Sequence, residues 1–215
     1  MGRAFLRIVC VIAALTPLSG FTIVWDEPQP ADGAAPVATT DEERMNAYAA
    51  EVWDAQVLPV VSEHVVPLTK LRSALASNTD ETGKEFGLRP KGEANPWNFV
   101  VSGEGQVLKS KLDSRAAKLE VDTDGDGKGD VTLQLGPIIR GTAIRDAMPF
   151  ISFTDFRDQI EFAKLANGLN GEAHAHIQMP QEDPIGKSVS FVGVFTLRGS
   201  AESVELVPIE FEIGA

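Results

Sequence analysis

The chain has 215 residues, 43% of them hydrophobic and 23% charged, the values of a folded globular protein and not of a disordered one. A formal charge of -12 excludes a nucleic-acid binder that works by neutralising phosphates. One cysteine and three histidines exclude a disulfide framework and a thiolate-rich zinc site.

Arg3 and Arg7 give the chain a basic start, and no charge follows from Ile8 to Trp25. A basic start, an apolar run and small residues near Ser19 and Gly20 predict a secretory signal over residues 1–20. An uncleaved membrane anchor over residues 8–25 has the same composition, because 18 uncharged residues just reach across the ~30 Å of a bilayer core. Phe21-Thr-Ile-Val-Trp25 alternates and is β-branched, which predicts the first strand of a barrel, followed by a Pro- and Ala-rich linker to residue 38.

Residues 39–92 read as a helical domain. Thr40-x-x-Glu43 has the form of a capping box, and Met45, Tyr48, Val52 and Ala55 then fall on one helical face. Pro59 predicts a kink or an end there, since proline lacks the amide and crowds the preceding turn. Leu68, Leu71 and Leu75 line a further helix that opens at Pro67 and stops at Asn78-Thr79-Asp80.

Residues 93–215 change character. Short β-rich runs are predicted at 98–101, 106–108, 117–121, 131–135, 188–197 and 203–213, the last two as a hairpin. One helix is predicted from a Thr154 cap to about Ala166, with Asn167-Gly168 as its C-cap. Short strands punctuated by glycine favour a small barrel over a parallel sheet.

The sharpest local signal is Asp122-Thr-Asp124-Gly-Asp126-Gly127-Lys-Gly-Asp130. Carboxylates at loop positions one, three, five and nine with Gly at six match the start of a calcium loop, so Asp122, Asp124, Asp126 and Asp130 are the candidate metal ligands. Two carboxylates about 5 Å apart repel by roughly 3 kcal/mol at an effective dielectric of 20, which a cation would relieve. Leu133 stands at position twelve in place of the bidentate Glu of an EF-hand, and strands flank the loop. A solvated Asp/Gly turn is the other reading.

Weaker signals lead elsewhere. His174 and His176 would share a face on a strand, but a third ligand is lacking. Gly186-Lys187-Ser188 imitates a phosphate loop whose first glycine is replaced by Gln181, and no G-x-S-x-G elbow occurs. Trp53, Trp97 and Phe99 would stack on a sugar or pack a core. Arg140 and Arg145 lie in an apolar stretch where a guanidinium needs a carboxylate, such as Asp146, or a ligand anion.

Gly136-Pro-Ile-Ile-Arg-Gly-Thr-Ala-Ile-Arg-Asp-Ala-Met-Pro-Phe-Ile-Ser-Phe-Thr-Asp-Phe156 resembles the predicted periplasmic lipoproteins of domain of unknown function family 2291. Trp53-Asp-Ala-Gln-Val-Leu-Pro59, Asn95-Pro-Trp-Asn-Phe99 and Phe191-Val-Gly-Val-Phe-Thr-Leu197 support the resemblance. It implies an α+β fold, a small OB-like β-barrel with an inserted small helical domain, and genes beside sugar-importing ABC transporters. It also implies a lipobox ending in Gly-Cys, where this chain has Gly20-Phe21, so lipid attachment is expected to be lost. The function expected is that of a non-enzymatic periplasmic accessory protein of a sugar or polyol ABC importer. Its partners would be importer subunits, with no nucleic acid, and it would meet the membrane only through its N-terminal segment. The alternative is a calcium-stabilised carbohydrate-binding module acting independently.

Overall fold

The computed structural model describes residues 40–90 and 95–214. The expected signal, the Phe21–Trp25 strand and the linker lie outside the described residues. Helix α1 (Asp41–Val52) begins at the expected capping box: Thr40 Oγ1 accepts the Glu43 amide at 3.2 Å, and Glu43 Oε2 accepts the Thr40 amide at 3.0 Å. Pro59 does not end this helix. A π-turn over Trp53–Val57 passes the chain into α2 (Leu58–His64), with Leu58 donating its amide to the carbonyl of Trp53, five residues back. The wider turn accommodates a proline that can neither donate nor fit the α-helical register.

After the two-residue strand β1 (Val66–Pro67), α3 (Leu68–Ser77) buries Leu68, Leu71 and Leu75, the face read from the sequence. Asn78 ends α3 and also opens α4 (Thr79–Phe86), its side chain accepting the amides of Asp80 and Glu81.

Five further strands close a barrel: β2 (Asn98–Lys111), β3 (Lys118–Asp122), β4 (Val131–Gln134), β5 (Ser188–Thr196) and β6 (Val204–Ile213). Their order is β2-β3-β4-β6-β5 and back to β2. The β4–β6 pair is parallel and the others antiparallel. Helix α6 (Gln159–His176) fills the crossover between β4 and β5, with the short α5 (Ala143–Ala147) before it. This is the OB arrangement. The two runs expected at 98–101 and 106–108 are one strand. Its first half pairs with β5 and its second with β3, past a register shift between Val107 and Lys109. Strand β6 has β4 and β5 as its neighbours.

Alternate residues serve two cores. Phe99, Val101, Phe195 and Leu206 face the barrel interior, which α3 plugs with its leucines. Val100, Val194 and Val207 face outwards, under Met45, Ala49, Val52 and Trp53 of the first helix and Leu165 and Leu169 of α6. Strands buried on both faces read as continuous apolar runs. The helices of residues 39–92 therefore have no core of their own, and all described residues belong to one compact unit.

Helix α6 differs from its expectation at both ends. Thr154 lies in a short 3-10 turn, Phe153–Asp155, and the cap is Asp158, whose carboxylate accepts the amides of Ile160 and Glu161 at 2.9 Å. Asn167-Gly168 does not stop the helix. A Cβ on Gly168 would stand 3.0 Å from the Met45 carbonyl and 3.2 Å from Ala49 Cβ, so this glycine marks where α1 crosses α6. Ion pairs among Asp41, Arg44, Glu161 and Arg157 join the two N-termini.

Candidate functional site

The acidic loop joins β3 to β4. Asp122, at the end of β3, is buried and turns its carboxylate over the loop. Its Oδ1 accepts the amides of Asp124 (3.2 Å) and Gly125 (2.7 Å), and its Oδ2 accepts that of Gly127 (2.8 Å). The pattern repeats outwards, with Asp124 Oδ1 accepting the Asp126 amide at 3.1 Å and Asp126 Oδ1 accepting that of Lys128 at 2.8 Å. Gly127 sits at φ +80°, a turn that other residues enter only with strain. These side-chain-to-amide bonds are what aspartate offers in turns.

The bonds set the charge state of the loop. Burial pushes the Asp122 carboxyl up, but the amides of Gly127, Gly125 and Asp124 together outweigh it and hold the group below its usual value. Asp126 is also lowered, first by the hydrogen bond from the Lys128 ammonium, 3.0 Å away, and then by the Lys128 amide. One carboxylate oxygen from each of Asp122, Asp124 and Asp126 lies within 4.8 Å of the others. Such a trio of hard oxygens suits calcium chemistry.

The fourth expected ligand does not join them. Asp130 points to Arg72 of α3, with Oδ2 2.8 Å from Nη1. The same Oδ2 accepts the Thr123 hydroxyl at 2.8 Å, and Oδ1 accepts the Thr123 amide at 3.1 Å. Arg72 also donates to the carbonyl of Ala201 in the β5–β6 loop. Asp130 thus ties the loop to α3, and the sequence spacing that made it a ligand carries no information about this distant arginine.

The other candidates are parts of the frame. His174 and His176 lie on α6, not on a strand, and residues two apart on a helix do not face each other. His174 Nδ1 is 2.8 Å from the Leu135 carbonyl, and His176 stacks on Trp53 at 5.4 Å between centroids. Trp53 and Phe99 are buried, and the Arg89 guanidinium covers the Trp97 ring at 3.8 Å. Arg145 lies over Phe162 at 3.7 Å and pairs with Asp146 at 2.7 Å, the internal partner read from the sequence. Arg140 differs: its main chain is held by Gln134, while its side chain is exposed.

The sequence pattern of a family described as Predicted periplasmic lipoprotein (DUF2291) matches residues 11–212. The chain belongs to this family. Among solved structures, the barrel is similar to an OB-fold protein from Thermotoga maritima, with a TM-score of 0.60 and 21% identity over 79% of this chain and 98% of that one. At that identity the likeness speaks for the fold alone. No curated protein matches the chain. Among the described residues, no helix is long and apolar enough to cross a membrane.

Proposed function

We propose that this family member is a non-enzymatic periplasmic accessory protein that works beside a sugar or polyol ABC importer. With Phe21 where a lipidated cysteine would stand, it is either released into the periplasm or held at the inner membrane by residues 8–25. Family membership supports the compartment. The importer rests on the family resemblance alone. The observation that carries the non-enzymatic part is the commitment of the acid–base candidates to the frame. His174 holds the Leu135 carbonyl, Asp146 holds Arg145 and Thr142, Glu161 holds Arg44, and Asp130 holds Arg72. A side chain locked into such a pair is poorly placed to move protons at a substrate.

Cross-linking in cells followed by purification of the full-length chain tests the importer link. Permease subunits are expected in the cross-linked fraction; recovery no greater than with an unrelated periplasmic protein removes the proposal. Palmitate labelling is expected to leave the chain unlabelled.

The convergence of Asp122, Asp124 and Asp126 favours a second reading, a calcium-stabilised module that binds carbohydrate on its own. The burial of Trp53 and Phe99 and the cover over Trp97 leave that module without a free stacking ring among these three. A melting-temperature titration with calcium tests the ion.

A further inference from the structure

We propose that the rim of the barrel around Arg140 binds an anionic carbohydrate, a sugar acid or sugar phosphate of one or two rings. The sugar part rests on the importer reading above; the anion part rests on charge and geometry.

Two adjoining cavities of about 420 and 270 Å³ open on this rim and share Gln134, Arg140 and Glu205. The first is bounded by Arg198 of the β5–β6 loop, the second by Lys111 and Lys118 at the two ends of the β2–β3 loop. In a chain of net charge -12, the lining of these two cavities carries four cations against one carboxylate, Glu205. Several cations elsewhere have occupations: Arg44, Arg72, Arg145 and Arg157 are in ion pairs, and Lys70 and Arg89 lie on aromatic rings. Among the described residues, Lys111, Lys118, Arg140 and Arg198 take part in no ion pair.

The rim is also built. Gln134 is buried, and its amide grips both main-chain groups of Arg140, donating to the carbonyl at 3.0 Å and accepting the N–H at 2.8 Å. Asn170 of α6, buried as well, donates to the carbonyl of the next residue, Gly141, at 3.0 Å. Buried amides are costly unless bonded, and two of the few in this fold converge on one exposed arginine and its neighbour. A guanidinium on a main chain held this way loses less freedom on binding than one on a mobile loop.

The remaining lining fits a sugar. Ser114, Ser200 and Ser203 bring hydroxyls, and Glu205, common to both cavities, offers a carboxylate that accepts from sugar hydroxyls. The volumes suit a small ligand. A nucleic acid fits poorly: Phe195, the aromatic residue of the lining, is buried at 1% exposure and offers no face for a base. Barrels of this topology take oligomeric ligands on the same side, between the first and fourth loops.

The test is calorimetric titration of the full-length chain at low ionic strength with four probes: glucuronate, glucose 6-phosphate, glucose and inorganic phosphate. Glucuronate or glucose 6-phosphate is expected to bind at least tenfold more tightly than glucose or phosphate. Arg140→Gln and Arg198→Gln should each weaken that binding about tenfold, the ~1.4 kcal/mol of one charged hydrogen bond. Lys187→Gln, outside the rim, should leave it unchanged. Both arginines are exposed, so an unchanged melting temperature certifies the fold of the variants. Equal binding of glucose overturns the anionic part, and equal binding of phosphate overturns the sugar part. No binding of any probe overturns the site while the importer proposal, read by cross-linking, stands on its own result.

Discussion

Strand β4 is flanked by two charged segments that treat their charges in opposite ways. Before it, in Asp122–Asp130, each aspartate is bonded to an amide, a lysine or an arginine. After it, in Leu135–Thr142, the fold holds the main chain of Arg140 and leaves the guanidinium open to solvent. Density of charge in a sequence therefore does not measure availability of charge in the structure. The loud motif shapes a turn, whereas the quiet arginine faces outwards.

The largest expected effect lies at the base of the second segment. A Cβ on Gly136 would stand 2.3 Å from the Ala117 amide and from the Arg115 carbonyl, both main-chain atoms that cannot yield alone. Gly136→Ala should cost about 3 kcal/mol or more in denaturant unfolding. A loss under about 1 kcal/mol would show that the rim is not braced there.

The next separates the two kinds of aspartate in the first segment. Asp130 and Arg72 are 11% and 19% exposed, so Asp130→Asn should destabilise by about 2–3 kcal/mol by stranding a largely buried guanidinium. Asp124→Asn, on the exposed loop, should stay within about 0.5 kcal/mol without calcium. Equal losses in the two variants would remove the distinction between the tie to α3 and the turn.

Calcium sharpens the comparison further. If the trio holds the ion, a tenfold excess over the dissociation constant should add about 1.4 kcal/mol, read as a rise in melting temperature. Asp124→Asn should lose most of that rise. A flat wild-type titration to millimolar calcium would leave the segment as a turn alone.

The smallest effect is on the acid limb of the stability curve. The amides bonded to Asp122 hold its folded value below 3.8, so its contribution is complete above about pH 4 and is lost as pH falls through the folded value. Asp122→Asn should flatten the wild-type decline below pH 4. An acid limb of unchanged slope would mean that the loop bonds do not stabilise the ionised group.

Much of this architecture was legible in the sequence, and the failures share a cause. Strands β3 to β6 follow from alternation and glycine punctuation to within a residue or so at each end, and the Thr40–Glu43 box placed α1 correctly. Local chemistry decides those features. Gly168 reads as a cap although its reason is α1, more than a hundred residues earlier in the chain, and the kink or end expected at Pro59 takes the form of a π-turn just before it. Asp130 was assigned to the ion because the loop spacing does not reveal Arg72. The buried amides of Gln134 and Asn170 carry no sequence signal at all, since their partners are main-chain atoms.

The π-turn at Trp53–Val57 gives the first helix one residue of slack that its composition hides. The turn acts as one surplus residue wound into the helix, and each helical residue advances the face by about 100°. Before the turn the apolar stripe addresses α6; beyond it, α2 addresses β2. Removing a single residue between Trp53 and Val57 would restore an ordinary helix up to Pro59. Because the residue removed is the surplus one, the stripes on either side would keep their faces and Val61 its place in the core, whereas a deletion in α1 outside the turn would rotate the faces relative to each other by about 100°.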